Sequence, residues 1–136
     1  MSVKLEIVTP EATIFSDDVD TAVIPGELGE MGILENHVPL VTTLQPGELS
    51  YKKADEEHHL AIGQGIVEVL PNRVSVITDM AVGHWDIDDE AEEEALRRAE
   101  ERLKEAESGT EHHAELMAMV QRSLAKLRVK RRRTQV

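Results

Sequence analysis

Cysteine is absent from these 136 residues, and aromatic side chains make up only 2% of them: one Phe, one Trp and one Tyr. Without thiols there is no disulfide scaffold, no thiolate nucleophile and no cysteine-ligated zinc or iron–sulfur centre. So few rings argue against recognition of single-stranded nucleic acid by base stacking. The apolar runs are a handful of residues long, well short of the ~20 needed to span a bilayer. Met1-Ser2-Val3-Lys4 leads straight into alternating sequence, so no secretory or transit segment is expected. Bases are scarce as well, 15 Lys and Arg against 27 Asp and Glu, for a net charge of -12. The 40% hydrophobic content nevertheless suffices for a packed core, which sets aside a disordered acidic chain.

The missing bases are unevenly missing. Residues 1–85 carry four bases and fourteen acids, and residues 86–115 four bases and thirteen acids. Residues 116–136 carry seven bases and no acid. The three segments thus hold charges of −10, −9 and +7. Cations favour a helix C-terminus, so a solvated helix end is one account. A basic arm for an acidic partner is the other, and the run Lys130–Arg133 also fits nucleic acid or anionic lipid.

Two periodicities divide the chain. From Val3 to about Trp85 the pattern has period two: Val3, Leu5 and Ile7 alternate with Lys4 and Glu6. Further short β-type runs lie at Val19, Leu40-Val41, Leu60–Ile62, Ile66-Val67-Val69 and Val74-Val76. Thr9-Pro10, Pro25-Gly26, Pro46-Gly47 and Pro71-Asn72 supply turns between them. This pattern predicts an N-terminal antiparallel β-sandwich of about ten short strands over residues 1–85.

After Trp85 the period lengthens. Asp86-Ile87-Asp88 offers an N-cap, and Ala91, Ala95, Ala99, Leu103 and Ala106 then recur every three or four residues. Ser108-Gly109-Thr110 breaks the pattern: Gly109 ends one helix, and Ser108 or Thr110 caps the next. Met117, Val120, Leu124 and Leu127 are assigned to one side of that second helix. Residues 86–136 therefore read as an antiparallel two-helix hairpin. An alanine stripe buries little area, at ~25 cal/mol per Å², so one account is a hairpin that docks weakly and can leave its place, and the plainer account is a small, tight helix pair.

No catalytic constellation emerges from the reactive side chains. The six histidines are His37, His58, His59, His84, His112 and His113. Neighbours on a strand point to opposite faces, so His58 and His59 cannot share a metal. His112 and His113 lie about 100° apart on a helix with no further His at the next turn, so no metal site is expected. The glycine-rich stretch Pro25–Gly32 lacks the Gly-Lys-Ser/Thr ending and the following helix of a phosphate loop, and its charges are anionic. A tight turn exposing a loop accounts for it better. The acids from Asp86 to Glu94 lack the calcium-loop spacing and read as a solvated helix start.

One ordered set of motifs does carry a resemblance. Pro25-Gly26-x-x-Gly29-Glu30-x-Gly32-Ile33-Leu34-x-Asn36-His37-x-Pro39-Leu40, then Gly47-Glu48-Leu49, then Gly65-Ile66-Val67-Glu68-Val69, resembles the epsilon subunits of F-type ATP synthases. So do the acidic segment from Asp86-Ile87-Asp88 and the end Ala125-Lys126-Leu127-Arg128-Val129. The similarity runs along essentially the whole chain and implies the same sandwich plus hairpin.

The resemblance implies a non-catalytic rotor subunit without a cofactor, bound to the gamma subunit and to the membrane ring of c subunits. It couples ring rotation to the catalytic head. Gly29, Glu30, Met31 and Gly32, with His37 nearby, match the family's contact with the ring. In bacterial relatives the hairpin extends into the head and blocks ATP hydrolysis. Arg122, Lys126, Arg128, Lys130, Arg131, Arg132 and Arg133 are then candidates for pairing with acids of the beta (and alpha) subunits. The implied location is the cytoplasmic face of a bacterial inner membrane, peripheral, rather than a plastid.

Some positions depart from the family pattern. Glu35 stands where proline is common, and Gln64 where glycine is frequent. The ATP-sensing motif Ile-Asp-x-x-Arg-Ala of some members reads Ile87-Asp88-Asp89-Glu90-Ala91-Glu92 here, so Ala91 replaces the arginine. Asp88 and Arg98 remain, but the surrounding acids repel a polyphosphate. Weak or absent ATP binding is expected. The alternative from another class is an acidic adaptor whose basic helix binds nucleic acid or an acidic protein; an ATP-sensing module and a metal-dependent enzyme follow behind.

Overall fold

The structure, a computed structural model, describes residues 2–34 and 38–134, without the side chains of Trp85 and of residues 132–134. Ten strands come first: β1 (Val3–Val8), β2 (Thr13–Val19), β3 (Thr21–Gly26), β4 (Gly29–Ile33), β5 (Leu40–Leu44), β6 (Gly47–Lys53), β7 (Glu56–Ile62), β8 (Gly65–Leu70), β9 (Arg73–Thr78) and β10 (Ala81–Gly83). A 3-10 turn over His84–Asp86 leads to two helices, α1 (Asp89–Glu105) and α2 (Glu111–Thr134). The strands hydrogen-bond in the order β10-β7-β6-β3-β5-β8-β9-β1-β2, with β4 on β3, and fold over as a sandwich.

Alternation decides which side chains enter the core. Leu5 and Ile7 of β1 lie opposite Val74 and Val76 of β9, which in turn oppose Val69 and Val67 of β8. All six are fully buried. They close against Ala22, Ile24, Ile33, Leu49 and Ile62 from the facing strands. Burying a Val, Leu or Ile side chain stabilises by ~1.5–3 kcal/mol, so this cluster dominates the fold. Pairing is antiparallel except between β1 and β9, the one parallel pair among the described residues.

The turns match the sequence in part. Thr9-Pro10, Pro46 and Pro71-Asn72 fall between strands as expected. Pro25 and Gly26 do not: they end β3, and Glu27-Leu28 makes the reversal into β4. Proline is tolerated at a strand end, where its carbonyl still works, and Pro25 O accepts from Gln45 N at 3.0 Å. The β6–β7 hairpin turns on Ala54 (φ 53°) and Asp55 (φ 64°), two left-handed residues without a glycine.

The sandwich's open side is clasped by its few aromatics. Phe15 on β2 lies 4.6 Å from Tyr51 on β6, centroid to centroid, and Tyr51 stacks on His58 at 4.9 Å. Beside them Lys53 Nζ donates to Asp17 Oδ2. That bond holds the Asp17 carboxyl below its usual range and the Lys53 ammonium above its own, while burial pushes the Tyr51 phenol up.

In the hairpin, Asp88 caps α1 by accepting from Ala91 N at 3.2 Å, and Thr110 caps α2 by accepting from His113 N at 3.1 Å. Gly109 turns between them at φ +84°. The helix stripes differ from the sequence reading. On α1 only Ala99 is fully buried, and Ala91 is exposed. On α2 Leu116, Ser123, Ala125, Leu127 and Val129 are buried, whereas Met117 and Leu124 are exposed and Val120 half-buried. Leu116, Ser123 and Leu127 share one helix face, and Ala125 and Val129 lie on the opposite one. The second pair packs with Ala61, Met80 and Ile87 against the strands. A helix covered on two sides has no single apolar stripe, which is why the periodicity misassigned it.

Candidate functional site

The loop motif builds the β3–β4 hairpin, and its tip is held rather than loose. Glu27 N donates to Thr43 O at 3.0 Å, and Thr43 Oγ1 donates to Glu27 Oε2 at 2.5 Å. Gly29, at φ +127°, takes a conformation that side chains disfavour. Gly29, Glu30 and Gly32 are exposed, as a contact surface requires, while Met31 folds inward against Gly26 and the core. His37 lies outside the described residues. Sequence reasoning missed Leu28, which is wholly exposed at the turn. Its signal was an apolar residue flanked by Glu27 and Gly29 in a glycine-rich stretch.

A second surface was also missed. The outer faces of β5, β8 and β9 carry Val41, Ile66 and Ile77, with Ile66 and Ile77 directly opposed and 48% and 56% exposed. Val8 on β1 pairs with Ile77, and Thr43 with Ile66, so one apolar row crosses three strands and ends at Thr43 on the fourth. A groove of about 580 Å³ opens at its end, lined by Pro10, Gln64, Ile66 and Ile77 among others. In sequence, Glu68 two positions on shares the face of Ile66 and was the available sign that it points outward.

The basic segment finds acids within its own chain. Lys126 Nζ lies 3.0 Å from Glu92 Oε1, and both side chains are sheltered, 23% and 17% exposed. Arg131 lies 2.5 Å from Glu93 and 3.8 Å from Asp89. Lys130 Nζ reaches His84 O at 3.5 Å. Arg122 and Arg128 carry no ion pair among the described residues, and the side chains of Arg132 and Arg133 are not described. Of the positions tied to nucleotide sensing, Asp88 is engaged as an N-cap, Ala91 is exposed, and Arg98 lies 3.6 Å from Glu94.

The histidines are dispersed. His58 joins the aromatic stack, while His59 on the opposite face sits 3.5 Å from Glu48 and 3.7 Å from Glu57. Among the described residues no three His, Asp or Glu side chains converge on one point. The geometry offers surfaces for docking: an exposed tip, an apolar face and a basic helix.

Comparison with known proteins agrees with that picture. Residues 2–84 match the family model described as ATP synthase, Delta/Epsilon chain, beta-sandwich domain. The chain is 41% identical over 126 residues to ATP synthase epsilon chain 2 of Syntrophotalea carbinolica, covering 93% of this chain and 91% of that one. It is 42% identical over 129 residues to the ATP synthase epsilon chain of an Anaeromyxobacter species, covering 95% and 98%. In fold it is similar to a chain of the Euglena gracilis mitochondrial ATP synthase, OSCP/F1/c-ring, with TM-score 0.75 at 24% identity, over 88% of this chain and 76% of that one. A second likeness of fold, TM-score 0.57 at 13% identity, is to a chain of the Tetrahymena thermophila mitochondrial ATP synthase central stalk/c-ring, over 98% and 97%.

Proposed function

This chain belongs to the epsilon subunits of F-type ATP synthases, and on that premise we propose that it is a non-catalytic rotor subunit coupling the c-ring to the catalytic head through gamma. The β3–β4 tip carries the proposal. Its exposed Leu28 and Glu30 stand on a turn tied to β5 through both the backbone and the side chain of Glu27. A tied turn transmits torque without bending, and its anionic charge complements a basic polar loop on a ring protomer. We assign Gly29, Glu30 and Gly32 to the ring contact together with Leu28, and His37 to its vicinity. The gamma subunit is assigned to the apolar face around Ile66 and Ile77, since an exposed patch of that kind marks an interface. On this division residues 1–85 bind stalk and ring, and residues 86–136 regulate.

The regulatory reading gives the hairpin a second position, extended into the head, where Arg122, Lys126, Arg128 and Lys130–Arg133 meet acids of the beta (and alpha) subunits and ATP hydrolysis stops. The subunit then works at the cytoplasmic face of the bacterial inner membrane, attached through the complex. None of its described helices is long and apolar enough to cross a membrane. Nucleotide is not expected to set the hairpin's position, because Ala91 offers no cation and Arg98 is engaged by Glu94. Titrating the isolated subunit with ATP in a calorimeter is expected to give no saturable heat at micromolar ligand; saturation there would overturn this point.

The decisive experiment is Glu30→Lys in the assembled enzyme. Reversing the charge at the tip is expected to weaken copurification with the ring and to reduce ATP-driven proton pumping. Unchanged coupled pumping with an intact complex would remove the ring assignment.

A further inference from the structure

The basic helix is not waiting empty-handed. Its two most firmly engaged cations, Lys126 and Arg131, are bound to carboxylates 34 and 38 residues earlier in the chain. Those carboxylates, Asp89, Glu92 and Glu93, stand at i, i+3 and i+4 at the start of α1, so they form one acidic helical face. Glu92 and Lys126 are the sheltered pair, at 17% and 23% exposure, and Arg131 spans Asp89 and Glu93 outside it. Lys130 adds a bond to the backbone oxygen of His84 on the turn beneath α1. Apolar packing seats this helix end on the strands, where Ala125 and Val129 join Ala61, Met80 and Ile87, but it does not account for the pairing of the helix's cations with α1.

We infer that the first turn of α1 is an intramolecular stand-in for α2's acidic partner, an ion-pair clasp that occupies Lys126 and Arg131 while the hairpin is closed. The inference rests on the reading of the hairpin as a regulatory arm and adds what holds that arm back. A partner helix bearing carboxylates at i, i+3 and i+4 offers these cations the same arrangement, so opening exchanges one set of pairs for another. Arg122 and Arg128, without an ion pair among the described residues, remain available to make the first contact before the exchange. Salt weakens the clasp, since the Debye length falls from about 10 Å at 0.1 M to about 3 Å at 1 M ionic strength.

The absence of cysteine makes the test clean. Glu90→Cys on α1 and Leu124→Cys on α2, both at exposed positions, carry spin labels on the otherwise intact full-length chain, and the distance distribution reports closed and open hairpins. Adding Glu92→Gln and Glu93→Gln, which keep shape and remove charge, is expected to raise the open-to-closed ratio about two- to fivefold for each pair lost. Raising NaCl from 0.1 to 1 M is expected to do the same to the parent and much less to the double variant. A ratio moved neither by salt nor by the two substitutions overturns the clasp. The same double variant is then built into the assembled synthase, where deeper inhibition of ATP hydrolysis supports the exchange. If the isolated chain opens but inhibition does not deepen, the clasp stands and the assignment of an acidic partner in the head is overturned.

Discussion

The sandwich and the hairpin are held by different physics. Fourteen buried residues form the sandwich core, most of them Val, Ile or Leu with essentially no exposure. The hairpin meets the strands through a cluster of five, two of them alanines, and its two helices are joined by ion pairs of which one is sheltered. Hydrophobic burial is insensitive to salt and hard to undo in part, whereas exposed pairs contribute only ~0.2–1 kcal/mol each and are screened. The proposed role asks for both: a body that does not yield under torque and an arm that changes place at modest cost. The contrast can be broken at its strong end, at its weak end, or at the seam where the sandwich itself relies on a charge.

The largest effect is expected at Gly65. A Cβ there would lie 1.9 Å from Ile77 O and 2.8 Å from Thr78 Cα, so backbone rather than a flexible side chain must move. Overpacking of this kind costs about 3 kcal/mol, a large share of the stability of so small a domain. Gly65→Ala is therefore expected to lower the urea midpoint sharply or to prevent folding. A midpoint close to wild type would mean that the β8–β9 seam gives way more readily than a closely packed interior does.

At the weak end, deleting residues 88–136 is expected to leave a folded sandwich, because the main cluster contains no residue beyond Val76. Thermal unfolding should shift by only a few degrees, reflecting the uncovered Ala61, Met80 and Val82. In the assembled head the same deletion should raise ATP hydrolysis. An unfolded truncated chain would erase the distinction between body and arm, and unchanged hydrolysis would remove the arm's regulatory role.

The two regions also differed in how much of them the sequence displayed. Period-two alternation located β1, β8 and β9, since Val3, Leu5 and Ile7 or Val67 and Val69 face one core and nothing else. Ile66 and Ile77 fall on the opposite parity, shared with Glu68 and Ser75, so their outward facing was legible; that they meet across β8 and β9 was not, because register is a tertiary property. The Ala54-Asp55 turn was silent: both residues are left-handed, a geometry usually marked by glycine or asparagine. The caps Asp88 and Thr110 were readable because capping is local chemistry. The burial of α2 was not, because it depends on two neighbours at once. The charge reversal at residue 116 raised the expectation of an acidic partner, and the loop motif marked Gly29 and Glu30, which stand exposed at the β3–β4 tip. Neither revealed that the first such partner is α1, since nothing local connects Lys126 to Glu92.

The smallest effect is expected where the sandwich borrows the hairpin's means, at Asp17 and Lys53 between β2 and β6. Both side chains are 45% exposed, so substitution should move stability slightly, and pH shows its sign. Asp17 has a folded-state pKa below the ordinary value of 3.8, so its contribution is complete above that value and is lost as pH falls through the lowered one. Lys53 has its pKa raised above 10.5, so its contribution is complete below that value and is lost as pH rises through the raised one. Asp17→Asn should therefore be slightly less stable than wild type across the neutral range, with the gap in melting temperature closing in strong acid and again in strong base. The gap should also shrink in 1 M salt, where exposed charges are screened. A gap constant from acid to base would mean that the carboxylate acts here through shape and hydrogen bonding, and that the sandwich owes nothing to charge.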